Sequence, residues 1–510
     1  MRTKSPSLIQ SRLSAYYGFT GVDRSRPVIG MDDGKKQPLF ELHNGHAKWT
    51  GTLVRDAGLK LRTRVEQGEV IHQDFFNRTG LGYAVETGKA VNLYSERSPA
   101  NFEDAFTTGQ PVSSVMFAGK LMFTSSGFPM IMTDGFSFKK NTSQINPAFG
   151  VAIEGRLYVA GIPATPARVE VSKVFVNDGD ENIFEPDQAV TTAADRADFI
   201  DLSNVIGTAD EITGLARFET NRLAIFTNDQ CVVFKVDPDA SAWEIDSRAN
   251  VQLGAIAHNA IAQVGSDIIF CSRHGVHSLI RSSENGITID TLTLSYEIED
   301  LYKEFLRACI GPRFVTCTYD QDLGRFHIFF PMADGKHKQL VAEFRRGYDA
   351  LTWSSSDAGA ARCGAFLAGS MTFGTTFAIY DRLDELIQLD PLDDVTDDFI
   401  RPQLSIKTPI LWHGQIDELK ESRALVVQAA GNGSVQITAF DEEGNEVLTE
   451  IIYIERRDDN PTGFPSDSLD LQFRVPFQLR YRGLQLQFES QDMGDVEILG
   501  FAIELKTPAK

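Results

Sequence analysis

"GLARFETNRLAIFTNDQCVVFKVD", residues Gly214 to Asp237, decides the fold. It runs as a polar turn (Glu219-Thr220-Asn221-Arg222), an apolar run (Leu223-Ala224-Ile225-Phe226), a second turn (Thr227-Asn228-Asp229-Gln230) and a further apolar run ending at Val236. Consecutive apolar residues between turns read as a strand covered on both faces. The unit returns at Phe117 to Met132, Ile153 to Ile162, Val264 to Ile280 and Asp322 to Met332, with a variant at Phe366 to Leu389. The intervals, roughly 35 to 65 residues, bracket the period of four-stranded propeller blades with loop insertions. In a propeller each sheet is clamped between two neighbours, which covers both faces without helices. A tandem of unrelated β-sandwiches is the alternative, and the shared turn-strand-turn-strand unit argues against it.

Helical signal is sparse. Its clearest instance is Ser295 to Leu306, where Ile298, Leu301, Tyr302 and Phe305 fall on one face behind Ser295 as N-cap. From about Ile400, after the acidic stretch "LDPLDDVTDDF", the texture changes to clean alternation: Leu484, Leu486 and Phe488 face one way, Gln485, Gln487 and Glu489 the other. "VQITAFDEEGNEVLTEIIYI" reads as a hairpin turning at Glu443-Gly444-Asn445. The expected fold is therefore all-β: a β-propeller of about six blades with a C-terminal β-sandwich platform. Residues 1–60 form an N-terminal segment, partly extended or completing the propeller. Residues 61–399 form the propeller with loop insertions, and 400–510 the sandwich.

At 510 residues the chain exceeds one ordinary core, and 42% hydrophobic residues with 35 Phe supply ample apolar surface to bury. A formal charge of -21 favours solubility and argues against a surface that grips nucleic acid, since phosphate contacts need clustered Lys and Arg. No apolar run approaches bilayer length and the start lacks a secretion-type core, so folding in the cytosol is expected. Five cysteines cannot all pair; Cys231, Cys271, Cys309, Cys317 and Cys363 read as reduced, with Cys231 and Cys271 as small hydrophobes in strands.

The chain has no G-x-S-x-G elbow, no H-E-x-x-H and no phosphate-binding loop. His274 and His277 flank a turn with no third metal ligand evident in sequence, and read as ordinary turn and strand histidines. "NDGDEN" (Asn177 to Asn182) lacks the calcium-loop order of ligands, and Asp393, Asp394, Asp397 and Asp398 read as a solvated linker. No catalytic, cofactor-binding or metal-binding residues are assigned, no cofactor is expected, and the chain is read as a non-enzyme. Lys120, Arg156, Arg222 and Arg325 stand beside the recurring turns and are expected to pair with carboxylates of adjacent blades or subunits.

The run from "ITGLARFETNRLAIFTNDQCVVFKVDPDASAWEI" through "GAIAHNAIAQVGSDIIFCSRHGVHSLIR" resembles the tail nozzle proteins of short-tailed bacteriophages, the tail tubular protein B type. So do "YDQDLGRFHIFFPM", "AEFRRGYDALTWSSSD" and "FGTTFAIYDRLDELIQLD", and "IKTPILWHGQIDELKESRALVVQAAGNGSVQITAF" with "RYRGLQLQFES" is similar to that family's platform. The likeness lies in the order of the pieces: turn-led strands, the short helix, two further blades, then the sandwich. The resemblance implies a structural virion protein assembled in the host cytoplasm, a homohexamer below the portal and adaptor ring. It implies that viral double-stranded DNA passes non-specifically through the lumen, with adaptor and tail-fibre or tail-tip proteins as partners and no membrane insertion of its own. It also implies a role in retaining packaged DNA, for which the insertion between Val176 and Ile212 is a candidate closing loop. A propeller that binds a receptor or carbohydrate is the alternative reading, and a propeller glycoside hydrolase a further one.

Overall fold

The structure is a computed structural model. It describes residues 11–17, 19–24, 37–48, 50–76, 80–93, 100–141, 145–174, 183–184, 196–206, 210–247, 249–285, 293–344, 351–367, 370–383, 399–413, 419–454, 471–492 and 494–506. Strand accounts for 56% of it and helix for 8%, so the molecule is mostly β. Two compact units divide the chain: Leu61–Gln339 with Gly359–Arg382, and Met1–Lys60 with Leu340–Ala358 and Leu383–Lys510.

The larger unit is a propeller-like succession of antiparallel sheets. Three have four strands each, opening with Ser113–Phe117, Phe149–Ile153 and Ile212–Phe218. A three-stranded sheet follows, opening with Ile261–Val264, and then the pair Thr316–Asp320 and Arg325–Phe330. The remaining two sheets share one long strand, Leu59–Phe75. From Val70 onward this strand pairs with Leu81–Val85 and opens the first sheet. Its earlier part lies beside Thr376–Arg382, the third strand of a last sheet that opens with Cys363–Leu367. Numbered along the chain, the sheets are therefore seven among the described residues, where the recurring sequence unit suggests about six. Each of the six sequence repeats is the first hairpin of one of the second to seventh sheets. In the first sheet Phe75 pairs with Leu81 with five residues between them, so the short turn-led repeat is not visible there.

The opening strands of the second to seventh sheets pack side by side in sequence. The circuit closes where Val70 N–H donates to Thr375 O at 3.2 Å and the Cys363 thiol donates to Val70 O at 3.4 Å. Buried side chains collect between consecutive sheets. Leu223 and Ile225 join Tyr158 and Val169 between the third and fourth sheets, while Ala224 and Phe226 join Ile268 and Phe270 between the fourth and fifth. The same division sends Leu157 and Val159 one way, Tyr158 and Ala160 the other. Because strand side chains alternate sides, a run apolar at every position serves two interfaces at once. The opening hairpins are tight where sequence allows it: Ala118-Gly119 and Glu154-Gly155 all take positive φ (51°, 73°, 49°, 74°), the paired left-handed conformation that matches strand twist.

The expected helix is a turn of 3-10 helix, Tyr296–Ile298, running into an α-helix, Glu299–Ala308. Ser295 does not cap it; its hydroxyl accepts from Val276 N–H at 3.0 Å instead. Leu301 and Tyr302 are buried, and Tyr302 and Phe305 meet the Phe330 ring edge-on at 5.8 and 5.7 Å.

In the smaller unit, one sheet is built on Lys420–Gly431 and Val496–Lys506, the other on Leu484–Ser490 between Ser405–Lys407 and Gly433–Asp441. The sheets meet through core rings such as Phe488 and Phe501, 5.5 Å apart. Leu484, Leu486 and Phe488 are buried and the residues between them are half-buried, as alternation predicts. The hairpin turns at Gly444 (φ 83°), with Asp441 Oδ1 accepting from the Glu443 and Asn445 N–H groups. Of the N-terminal segment, expected to be partly extended or to complete the propeller, Ser11–Tyr17 pairs along Val496–Lys506, and Leu53–Arg55 pairs with the same strand. The long strand Val496–Lys506 would otherwise leave backbone donors and acceptors unpaired at a sheet edge.

Candidate functional site

In the larger unit, polar groups link the opening strands of several sheets. His72 Nε2 lies 2.8 Å from Ser114 Oγ, and Ser114 donates to Asp74 Oδ2 at 2.6 Å, joining the first and second sheets. Ahead of the fifth sheet, the short helix His258–Ala260 reaches three other sheets. The His258 ring stacks on Phe149 at 4.9 Å, its Nδ1 accepts from Leu215 N–H at 3.3 Å, and Asn259 Nδ2 donates to Val112 O at 2.7 Å. The lead-in of the fifth sheet is thus bonded to that of the second and to the opening strand of the fourth, and stacks on that of the third. Burial, with His258 nearby, lowers the His72 pKa to about 3, and burial lowers that of His258 to about 4. Burial pushes Asp74 up against the opposing pull of the Ser114 and Phe75 hydrogen bonds. The histidines are therefore neutral at pH 7 and serve as hydrogen-bonding and stacking pieces. Ser114 gives its proton to Asp74, so it is held as a bridge and is not activated as a nucleophile.

A second cluster sits where the long strand passes from the last sheet to the first. Glu69 Oε1 faces His337 Nε2 at 3.4 Å and accepts from Thr376 Oγ1 at 3.3 Å, and Oε2 is paired with Arg362. His337 Nδ1 accepts from Met332 N–H at 3.0 Å, which leaves Nε2–H to point at Glu69. The His337 contact, together with the Arg362 charge, lowers the Glu69 pKa to about 2 despite burial. The sixth, seventh and first sheets are thus tied by one carboxylate. Asp320, fully buried, pairs with Arg382 and adds a further tie between the sixth and seventh.

In the smaller unit His43 Nδ1 lies 3.0 Å from Ser355 Oγ and Nε2 3.0 Å from Asp357 Oδ1. The composition is that of a hydrolase triad, the arrangement is not. The Ser355 hydroxyl donates to Leu42 O at 3.3 Å, which leaves Nδ1 to donate to serine and no lone pair there to accept a proton. Ser355 is also buried, opposite His43 on a parallel strand.

The residues singled out in sequence resolve as follows. His277 is buried with Nε2 2.8 Å from Ser272 Oγ, and His274 N–H donates to the same oxygen at 2.9 Å; burial, then His274, lowers the His277 pKa to about 4. Arg222 pairs with Glu219 at 3.2 Å and Asp246 at 3.1 Å, both of its own sheet and not of a neighbour. Arg156 differs more: fully buried, it donates to four carbonyl contacts, twice to Pro238 O (3.0 and 2.7 Å) and to Ser172 O (2.6 Å) and Arg196 O (2.7 Å). Through these carbonyls its planar fork reaches to the lead-out of the fourth sheet at Pro238. Arg325 is buried and Lys120 half-buried, each opening the second strand of its hairpin. Asn177 to Asn182, Asp393, Asp394, Asp397, Asp398 and most of the insertion between Val176 and Ile212 lie outside the described residues. Glu69, His337 and Arg362 carry no sequence signal, being far apart in the chain with no motif.

No family model matches the chain, and no curated protein does. Among solved structures it is similar to Raptor of Chaetomium thermophilum (12% identity, TM-score 0.40), covering 64% of this chain and 30% of that one. It is likewise similar to BamB of Moraxella catarrhalis (10%, 0.35, covering 71% and 98%) and to the WD40 β-propeller domain of Doa1 (10%, 0.37, covering 64% and 97%).

Proposed function

We propose that the chain is a structural component of a short-tailed bacteriophage tail, a ring-forming nozzle below the portal and adaptor through which double-stranded DNA leaves. The observation that carries this reading is the order of the pieces: strand-rich sheets, the helix Glu299–Ala308, two further sheets, then a two-sheet unit built on Lys420–Gly431 and Val496–Lys506. That is the order on which the sequence resemblance rests. A charge of -21 suits a conduit, because a wall poor in clustered cations offers a polyanion few places to stop. The finer fold reading, seven sheets arranged radially as blades with the smaller unit as a platform on the adaptor, belongs to the same proposal.

Negative-stain images of the purified protein, and immunogold labelling of the particle that carries it, test this. Rings of about six copies with an axial hole and label on the tail are expected. Monomers alone, with a glycan or receptor fragment bound at a loop face, would replace it with the binding-module reading.

A further inference from the structure

Two cysteines from neighbouring sheets face one another in the larger unit. Cys271 ends the strand Asp267–Cys271 of the fifth sheet, and Cys317 is the second residue of Thr316–Asp320, which opens the sixth. Their sulfurs are 3.5 Å apart, and all five cysteines are free thiols. Cys271 is fully buried, whereas Cys317 is partly exposed. Around them the structure is firm: Tyr302, fully buried, donates to Ser272 O at 2.7 Å, and the strands are held by their own ladders. Closing 3.5 Å to a bond of about 2 Å asks for a side-chain adjustment between two sheets that already pack together through their opening strands.

We propose that Cys271 and Cys317 are an oxidation site at which an intramolecular disulfide forms, fastening the fifth sheet to the sixth after the protein leaves a reducing compartment. With a peroxide as oxidant, the Cys317 thiolate attacks one peroxide oxygen, the O–O bond breaks and hydroxide leaves, giving a sulfenic acid. Cys271 sulfur then attacks the Cys317 sulfur, the S–O bond breaks and a second hydroxide leaves. The two thiol protons turn the two hydroxides into water, so two electrons pass from sulfur to peroxide. Cys317, the less buried residue of the two, takes the first step, and Cys271 resolves it. Packing around the Cys317 sulfur, with Cys271 beside it, pushes its thiol up and disfavours the thiolate, so the oxidation is run at alkaline pH. The bond spans 46 positions of chain, a loop long enough for cross-linking to restrict the unfolded ensemble strongly.

The experiment treats the full chain with hydrogen peroxide for hours at pH 8.5, alkylates under denaturing conditions, and maps peptides with and without reductant. Alkylatable thiols are expected to fall from five to three, with a Cys271–Cys317 linked peptide and a thermal midpoint several degrees higher than the reduced protein. Cys317→Ser, at the partly exposed position, should keep all four of its remaining thiols and show no midpoint shift. Cys309→Ser separates the pair from the third thiol near Tyr302, and its oxidation should still remove two. Five thiols surviving in the folded wild-type protein, or a link from either partner to Cys309, overturns the proposal.

Discussion

Arg156 shows how much one buried cation can organise. Its guanidinium gives four donor contacts to carbonyls and lies 6.0 Å from the Trp243 ring, with no exposed surface. Arg156→Lys keeps the charge and loses the fork, leaving carbonyls without donors; about 3 kcal/mol of stability should go, read as a shift in urea midpoint. Glu69 makes a pH prediction. Its folded pKa, about 2, lies below the unfolded carboxyl value, so its contribution is complete above about pH 4.5 and is lost as pH falls toward 2. Glu69→Gln should therefore cost about 2 kcal/mol at pH 7, discounted for the part-exposed site. The gap to wild type should close by pH 2, measured by thermal melts across that range. A gap constant with pH would mean the carboxylate charge is not what ties the three sheets. Neither residue's role is legible in sequence. Arg156 has the expected position beside a turn, but four of its contacts go to backbone oxygens, which no composition reveals, and Glu69 meets His337 and Arg362 only through the closing of the ring.

At the scale of a strand, the double coverage of Arg222–Thr227 makes a test of its own. Ile225 belongs to the core between the third and fourth sheets and Phe226 to that between the fourth and fifth. Ile225→Ala and Phe226→Ala should each cost about 3 to 4 kcal/mol and add within about 0.5 kcal/mol, although the residues are bonded neighbours. Ile225→Ala with Val232→Ala, directly opposite on the next strand and in the same core, should depart from additivity. A double-mutant cycle in urea reads both, and strong coupling of 225 with 226 would contradict the two-interface account. At the turns, exposed Glu154 sits at φ 49° ahead of Gly155, a place suited to asparagine; Glu154→Asn should stabilise by about 0.5 kcal/mol in the same assay. Strand and turn are the level at which the sequence is most readable, because alternation, apolar runs and glycine act over a few residues. The helix was legible from its apolar face, but not its cap, since Ser295 is engaged by a strand nitrogen 19 positions away.

At the scale of the molecule, an acidic conduit should let DNA pass without holding it. Micromolar protein at 150 mM salt should give no gel shift with linear double-stranded DNA, and the proposed ring should persist in that buffer; a tight, salt-sensitive shift would point to a gripping surface instead. By itself the sequence determined the β-rich class, the double burial of its apolar runs, and the alternating sheet near the C-terminus. Each is dictated by side-chain period over a single strand. Only the tertiary structure decided that a seventh sheet exists, that one long strand joins the last sheet to the first, and that Ser11–Tyr17 lies along Val496–Lys506. Those pairings join segments hundreds of residues apart, and what selects them is which exposed backbone edge remains to be satisfied once every local sheet has formed, a quantity that belongs to the folded whole and to no stretch of the chain.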